Sequence, residues 1–296
     1  MQTLTEIRRL LDERGLTPKR SLGQNFLHDH NHIRRLVDAS GVAPGGLVLE
    51  VGPGTGALTD WLLERGAIVV ACELDEALAD LLTDRLAEPI ARDRLTLVRG
   101  DCLSDKHTLN PALTAALGDR PFRLVANLPY GAASPLMATL ATDFHPALRS
   151  PAPCLGQFVT IQKEVAQRVR AAPGGKEFGE LAIVVQAMAG VGRIATLPPG
   201  CFWPAPKVTS EMISIVPRQA PLTLRPDRLE RLCRVLFTHR RKQLGGVLGA
   251  AGITIDLPPG VSPSQRPEQL TVEQLIALSD RAALFLDDPR CGRPAE

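Results

Sequence analysis

The amino-acid sequence predicts an α/β fold: a parallel sheet flanked by helices, followed by a small all-helical domain. Three observations predict it. Short apolar runs alternate with helical stretches between residues 47 and 127. A glycine-rich turn, Gly52-Pro53-Gly54-Thr55-Gly56, follows the first of those runs and leads into a helix. After Pro217 the composition shifts to segments that read as helices. Strands alternating with helices at this spacing imply parallel pairing through right-handed crossovers. The 296 residues exceed the size at which one core usually stops growing, which suggests two domains, 1–217 and 218–296.

The elements follow in order. Leu4, Ile7, Leu10 and Leu11 share one face of a helix within residues 1–16. A basic, glycine-containing segment, Pro18 to Leu27, precedes a helix opened by Asp29 or His30 and running to about Ser40. Leu47–Val51 is a buried strand, and Ala57–Arg65 is the helix after the glycine-rich turn. Ala67–Cys72 is a second strand ending at Glu73, with a helix over Asp75–Glu88. Leu95–Val98 is a third strand, ending near Asp101, and Phe122–Ala126 a fourth, ending at Asn127. Gly156–Gln162 reads as a fifth strand running into a helix that carries Lys163 and Glu164. Glu180–Ala189 reads as helix, Gly192–Leu197 as extended chain and Lys207–Val216 as a last strand. Helices are expected over Arg225–Leu236, Arg240–Leu248 and Thr271–Leu284, and residues 287–296 are expected to fray.

Hydrophobic residues make up 44% of the chain and charged residues 22%, the balance of a soluble globular protein. No apolar run reaches the ~18 residues that span a bilayer. The first twenty residues lack the apolar core of a signal peptide, so a cytoplasmic location is expected. The six cysteines form no C-x-x-C pair and read as small buried hydrophobes in a reducing compartment. His28, His30 and His32 alternate, but no thiol or carboxylate cluster joins them in the sequence, so no metal site is expected. The net charge of +2 does not by itself indicate a nucleic-acid partner, yet basic residues cluster at Lys19-Arg20, Arg34-Arg35 and Arg240-Arg241-Lys242. Such clusters either hold phosphates or form solvated helix faces.

The candidate functional residues all fall just past the carboxyl ends of strands, where open α/β sheets bind ligands. Gly52, Gly54 and Gly56 permit a tight turn and close approach of a ligand to backbone amides at a helix N-terminus. Glu73, about twenty residues further on, suits the two hydroxyls of a ribose. The same pattern satisfies the dinucleotide fingerprint, so a nicotinamide enzyme and an adenosine-binding methyltransferase both remain open on this motif. Asp101 suits an adenine amino group or a helix cap.

Asn127-Leu128-Pro129-Tyr130 is more discriminating. The lone pair of an exocyclic amine is delocalised into its ring. Acceptors that hold its N–H bonds, such as the Asn127 side-chain oxygen and the Leu128 carbonyl, favour a tetrahedral nitrogen with the pair aimed outward. Pro129 stiffens the turn. Tyr130, the one tyrosine in the chain, can stack on a base, a contact worth roughly 1–3 kcal/mol. Phe202, in a loop made rigid by Pro204 and Pro206, either covers the other face of the base or belongs to the core.

Taken in order, these motifs resemble the ribosomal RNA adenine N6,N6-dimethyltransferase family, and its bacterial small-subunit branch in particular. The likeness runs through Gly23-Gln24-Asn25-Phe26-Leu27, Glu50 to Thr59, Gly100-Asp101, Asn127 to Tyr130, Gln162 to Ala166, Phe202 to Ser210, Phe237 with Arg240 to Lys242, and Arg266 to Leu270. It implies a Rossmann-like methyltransferase domain with a C-terminal helical RNA-binding domain. It implies S-adenosylmethionine (S-adenosyl-L-methionine) as donor and 16S rRNA of the small ribosomal subunit or its precursor as substrate, with two adjacent adenosines near the 3′ end dimethylated. It implies donor contacts at Asn25, Leu27, Gly52, Gly54, Glu73, Asp101 and Asn127, and places Asn127, Leu128, Tyr130 and Phe202 around the target adenine. A monomer is the corresponding expectation.

Three positions depart from the family pattern: Gly131-Ala132-Ala133 is less bulky and polar, Phe178-Gly179 replaces Tyr-Gly, and Gly245-Gly246 replaces an Arg-Asn pair. Competing functions are a large-subunit rRNA methylase, a nicotinamide oxidoreductase and a non-catalytic ribosome-assembly factor. The C-terminal blocks favour the small-subunit enzyme, and the oxidoreductase leaves Asn127 to Tyr130 unexplained.

Overall fold

The structure is a computed structural model and describes residues 2–288 except 106, 149 and 151. Residues 289–296, with Cys291, lie outside the described residues, as does most of the tail expected to fray. The chain separates into two compact units. One comprises the residues up to Ala166 together with Val191–Pro217; the other comprises Gln167–Gly190 together with the chain from Arg218.

Among the described residues nine strands form: β1 Phe26–Leu27, β2 Leu47–Val51, β3 Ile68–Glu73, β4 Leu95–Arg99, β5 Phe122–Asn127, β6 Cys154–Gln162, β7 Ala189–Leu197, β8 Phe202–Trp203 and β9 Ser210–Pro217. Seven of them make one sheet in the order β4-β3-β2-β5-β6-β9-β7. The β2–β3, β2–β5, β3–β4 and β5–β6 pairs are parallel, as the strand–helix alternation implies. β2 is buried along its whole length and β3 nearly so, because helices cover both faces of the sheet.

At the far edge, beyond the strands for which the alternation implies parallel pairing, β9 runs antiparallel to β6. The strand–helix alternation continues through two helices to β7 and stops there. Residues 198–209 between β7 and β9 contain no α-helix, and a crossover is what parallel neighbours require. Those residues instead carry β8, which pairs antiparallel with β1 in a separate two-stranded ribbon, Phe26 opposite Trp203 and Leu27 opposite Phe202.

Helices reach the sheet with their caps made by short polar side chains. Asp29 accepts from the His32 amide at the start of His30–Ser40, and Asp75 from the Ala77 amide at the start of Glu76–Arg85. The helix Ala57–Glu64 begins at Gly56, which adopts φ +85° and offers no side-chain cap.

In the second unit, the helices Pro226–Phe237, Leu244–Ala250, Val272–Arg281 and Ala283–Leu286 are joined by Glu180–Met188. Residues 167–190, which the sequence reading places in the first domain, pack with the helices that follow Pro217. Phe178 is fully buried, with its ring 6.5 Å from Phe237 at 71°. The Gln186 side chain donates to the carbonyls of Val169 and Ala171, and the Gly174 amide to the Glu268 carbonyl. A phenyl ring, with no hydroxyl to satisfy, suits this dry position.

The helix expected over Arg240–Leu248 starts only at Leu244, so Arg240-Arg241-Lys242 lie in the preceding turn. Gly245 has a packing reason. Its amide donates to the Pro263 carbonyl, and a Cβ there would lie 3.0 Å from the proline ring.

Candidate active site

The Gly-rich turn leaves β2 with Gly52 at φ +71° and Gly54 at φ +61°, values that only glycine adopts without strain. What presses on these positions is protein. A Cβ on Gly52 would sit 3.0 Å from the Pro129 ring, and one on Gly54 2.9 Å from the Phe26 ring. The glycines thus let the two flanking motifs close onto the turn from either side. Gly56 gives its carbonyl to Arg85, which also holds Asp60, so the turn is braced from the neighbouring helix.

Glu73, at the end of β3, is buried and reaches back over the turn. One carboxylate oxygen accepts from the Gly54 amide at 3.0 Å and the other from the Asp75 amide at 3.0 Å. Burial raises its pKa, and these two amide bonds pull against that rise. Each oxygen keeps a further lone pair for a hydroxyl donor.

Glu50, in β2, is still more deeply buried. It accepts from the Thr59 hydroxyl at 2.7 Å, and burial pushes its pKa up to about 8, so it is mostly protonated at neutral pH. Sequence reasoning assigns Glu50 no separate role. Its one signal there is an acid inside an otherwise apolar strand.

Asn127 ends β5. Its amide nitrogen donates to the Asn25 carbonyl at 3.0 Å, which leaves the side-chain oxygen as the acceptor end. Asn25 in turn donates to the Gly23 carbonyl. Leu128 is buried, with its amide bound to the Thr160 carbonyl on β6. Tyr130 is half-buried; burial raises its phenol pKa, and the Ser210 hydroxyl partly offsets this, so the ring stays neutral.

Phe202 is 3% exposed and paired with Leu27 in the β1–β8 ribbon. Its ring is packed in the core and also lines the cavity.

One cavity gathers Asn25, Leu27, Gly52, Gly54, Glu73, Asn127, Leu128, Tyr130 and Phe202. Asp101 lies in an adjoining cleft shared with Gly52, Glu73, Leu74 and Tyr130. It is exposed, and its carboxylate accepts from the Leu103 amide. Leu74, half exposed beside Glu73, lines both spaces, yet no sequence motif marks it. Gln24 serves as a tether: with Lys19 it grips the Asp75 carboxylate, each at 2.8 Å, and anchors the loop that carries Asn25.

Elsewhere, Arg240 pairs with Glu268 at 3.2 Å and donates to the Lys176 carbonyl, while Arg241 and Lys242 are exposed. The absence of a thiol or carboxylate beside the alternating histidines is also corrected. The structure brings His32 together with Asp29 and Cys201. The five cysteines among the described residues are buried and unbridged.

The cavity has the chemical makeup of a two-part site. A buried carboxylate and turn amides suit a hydroxyl-rich adenosine. An amide oxygen, a peptide carbonyl and two aromatic rings suit a flat amine beside it.

Comparison with known proteins agrees with this makeup. Residues 15–283 match the ribosomal RNA adenine dimethylase family. The ribosomal RNA small subunit methyltransferase A of Phenylobacterium zucineum (strain HLK1) is 38% identical over 297 residues, covering 99% of this chain and 98% of that protein. The corresponding protein of Mycobacterium tuberculosis (strain ATCC 25177 / H37Ra) is 37% identical over 303 residues, covering 98% and 91%. Among solved structures, a dimethyladenosine transferase from Plasmodium falciparum superposes with a TM-score of 0.68 at 20% identity, covering 87% of this chain and 98% of that one. The 23S rRNA methyltransferase ErmE gives 0.58 at 23% identity, covering 88% and 100%. These two likenesses speak to the fold.

Proposed function

The chain belongs to the ribosomal RNA adenine dimethylase family, and from that premise we propose that it dimethylates N6 of two adjacent adenosines near the 3′ end of 16S rRNA, with S-adenosylmethionine as donor. The observation that carries this reading is the meeting, in one cavity, of Asn25–Leu27, the Gly52–Gly54 turn with Glu73, and Asn127–Tyr130.

The residues fit the donor. Glu73 is buried with both oxygens already oriented by amides, so it accepts ribose hydroxyls without reorganising. Asn25, Leu27, Gly52, Gly54 and Asn127 enclose the adjoining space, and Asp101 stands at its outer edge as an acceptor for an amino group. Bound S-adenosylmethionine supplies an electrophilic methyl group on a sulfonium sulfur.

The chain's own part is alignment. Asn127 is fixed through its amide nitrogen to Asn25, so its oxygen has one orientation and accepts one N–H of the target amine. The Leu128 carbonyl accepts the other. Tyr130 and Phe202 supply aromatic surfaces for the base. No strong general base is needed, because the amine proton becomes acidic only once the nitrogen has gained its methyl group. Holding the two reactants in line is a large part of the barrier reduction.

The RNA belongs to the small subunit or its precursor, and the helical unit grips it through phosphates while the chain acts as a cytoplasmic monomer. Among the described residues no helix is long and apolar enough to cross a membrane. The test is incubation with labelled donor and undermethylated small subunits, followed by nucleoside analysis. Doubly methylated adenosine supports the reading; label in another nucleoside, or none, contradicts it.

A further inference from the structure

Asp29 and His32 stand one turn apart, and Cys201, 169 residues beyond His32 in sequence, meets them beside the β1–β8 ribbon. The Cys201 Sγ is 3.7 Å from His32 Nδ1 and 3.9 Å from Asp29 Oδ2, and His32 Nδ1 is 3.1 Å from Asp29 Oδ1. Asp29 caps the helix His30–Ser40 through the His32 amide, and the Cys201 carbonyl accepts the His28 amide at 3.0 Å.

A Cys-His nucleophile does not fit. A relay needs one imidazole nitrogen for the thiol and the other for the carboxylate. Here the same nitrogen faces both groups, and Cys201 is only 5% exposed.

A cation does fit. Zinc bonds of about 2.3 Å to sulfur and about 2.0–2.2 Å to nitrogen and oxygen, at tetrahedral angles, imply ligand separations of about 3.4–3.6 Å. One ligand atom from each of the three residues lies within 4.8 Å of the other two, so a cation draws them together to those separations. We propose that Asp29, His32 and Cys201 bind a zinc ion, with a water as fourth ligand on the side where Asp29 and His32 meet solvent.

The ion ties the start of the helix His30–Ser40 to the turn that precedes Phe202, closing the ribbon that carries Leu27 and Phe202. Its role is to hold this wall of the cavity. On binding, the Cys201 thiol gives up its proton to solvent and the sulfur donates its electron pair to the metal, which undergoes no redox change.

The test uses full-length protein stripped with a chelator and titrated with cobalt(II), then zinc. Equimolar cobalt binding with a thiolate-to-cobalt charge-transfer band, displaced by zinc, is expected. Cys201→Ala loses the band, Cys291→Ser keeps it, and His32→Gln weakens cobalt binding by at least about tenfold. Zinc raises the melting temperature of the parent protein and not of His32→Gln. Should Cys201→Ala fail to fold, His32→Gln and Asp29→Asn, which keeps the helix cap, decide the matter. Absence of the band in the parent protein, its persistence in Cys201→Ala, its loss in Cys291→Ser, or unchanged affinity in both His32→Gln and Asp29→Asn overturns the proposal.

Discussion

Between Gly52 and Gly56 the glycines are hemmed in by neighbours: a proline ring, a phenyl ring and an arginine fork. Between Arg240 and Lys242 only the first side chain is committed, to Glu268 and the Lys176 carbonyl, and the next two are exposed. On the function proposed above, the difference follows from what each region has to do. Methyl transfer requires the donor and the amine to be aligned within fractions of an ångström, so its groups are buried and cross-bonded. Phosphate attraction acts over several ångströms and tolerates a mobile lysine or arginine. The first region should be intolerant of small changes that hardly affect the second.

The sharpest way to break that contrast is at Asn127. Asn127→Ala removes the oriented acceptor and should lower kcat about 10²–10³-fold, as removal of one preorganised polar group does elsewhere. Binding of the donor should fall far less. Single-turnover assays with labelled donor separate the two, and a loss confined to donor affinity would move Asn127 out of the chemistry.

Glu73→Ala should come next. Removing the acceptor of bonds to hydroxyls, at about 1.5–3 kcal/mol for a charged partner, weakens donor binding roughly 10- to 150-fold. Binding of RNA should survive, as measured by filter retention. A variant that methylates at the parent rate would show that Glu73 does not hold the ribose.

Glu50 sharpens the comparison through pH. Its folded pKa is raised, by burial, from the ordinary 4.5 to about 8. Between those values the folded state holds a proton that the unfolded state has lost. Stability should therefore be full below the ordinary carboxylate value and decline as pH rises toward 8, with a slope of at most about 1.4 kcal/mol per pH unit. Urea unfolding across this range should show a flatter profile for Glu50→Gln. An identical slope would mean that Glu50 is ionised in the fold.

The smallest effect is expected at the exposed pair. Replacing Arg241 and Lys242 together by glutamine should leave donor binding unchanged. The salt slope of RNA binding should fall by about one for each phosphate that is no longer neutralised. Including Arg240, as the sequence cluster suggests, would confuse this result with damage to the Glu268 pair.

Much of this arrangement is legible in the sequence because it is local. The strand ends at Val51, Glu73 and Asn127 follow from apolar runs closed by glycine or a polar residue. What escapes is non-local. The β1–β8 ribbon joins two-residue strands, too short for any periodicity to register. Phe202 cannot be assigned to core or site without knowing that Leu27 lies opposite. Residues 167–190 alternate like the first unit but bury Phe178 among the helices. Arg240 reads as one of three equivalent cations until Glu268 stands beside it. The meeting of Cys201 with Asp29 and His32 depends on the same ribbon.

The most direct measurement is a crystal structure with S-adenosylmethionine bound. Ribose hydroxyls should lie at the Glu73 carboxylate, and the methyl carbon should turn toward the Asn127 oxygen and the Tyr130 ring. A donor whose sulfur end is buried away from Asn127, with Glu73 untouched, would contradict this picture of the site.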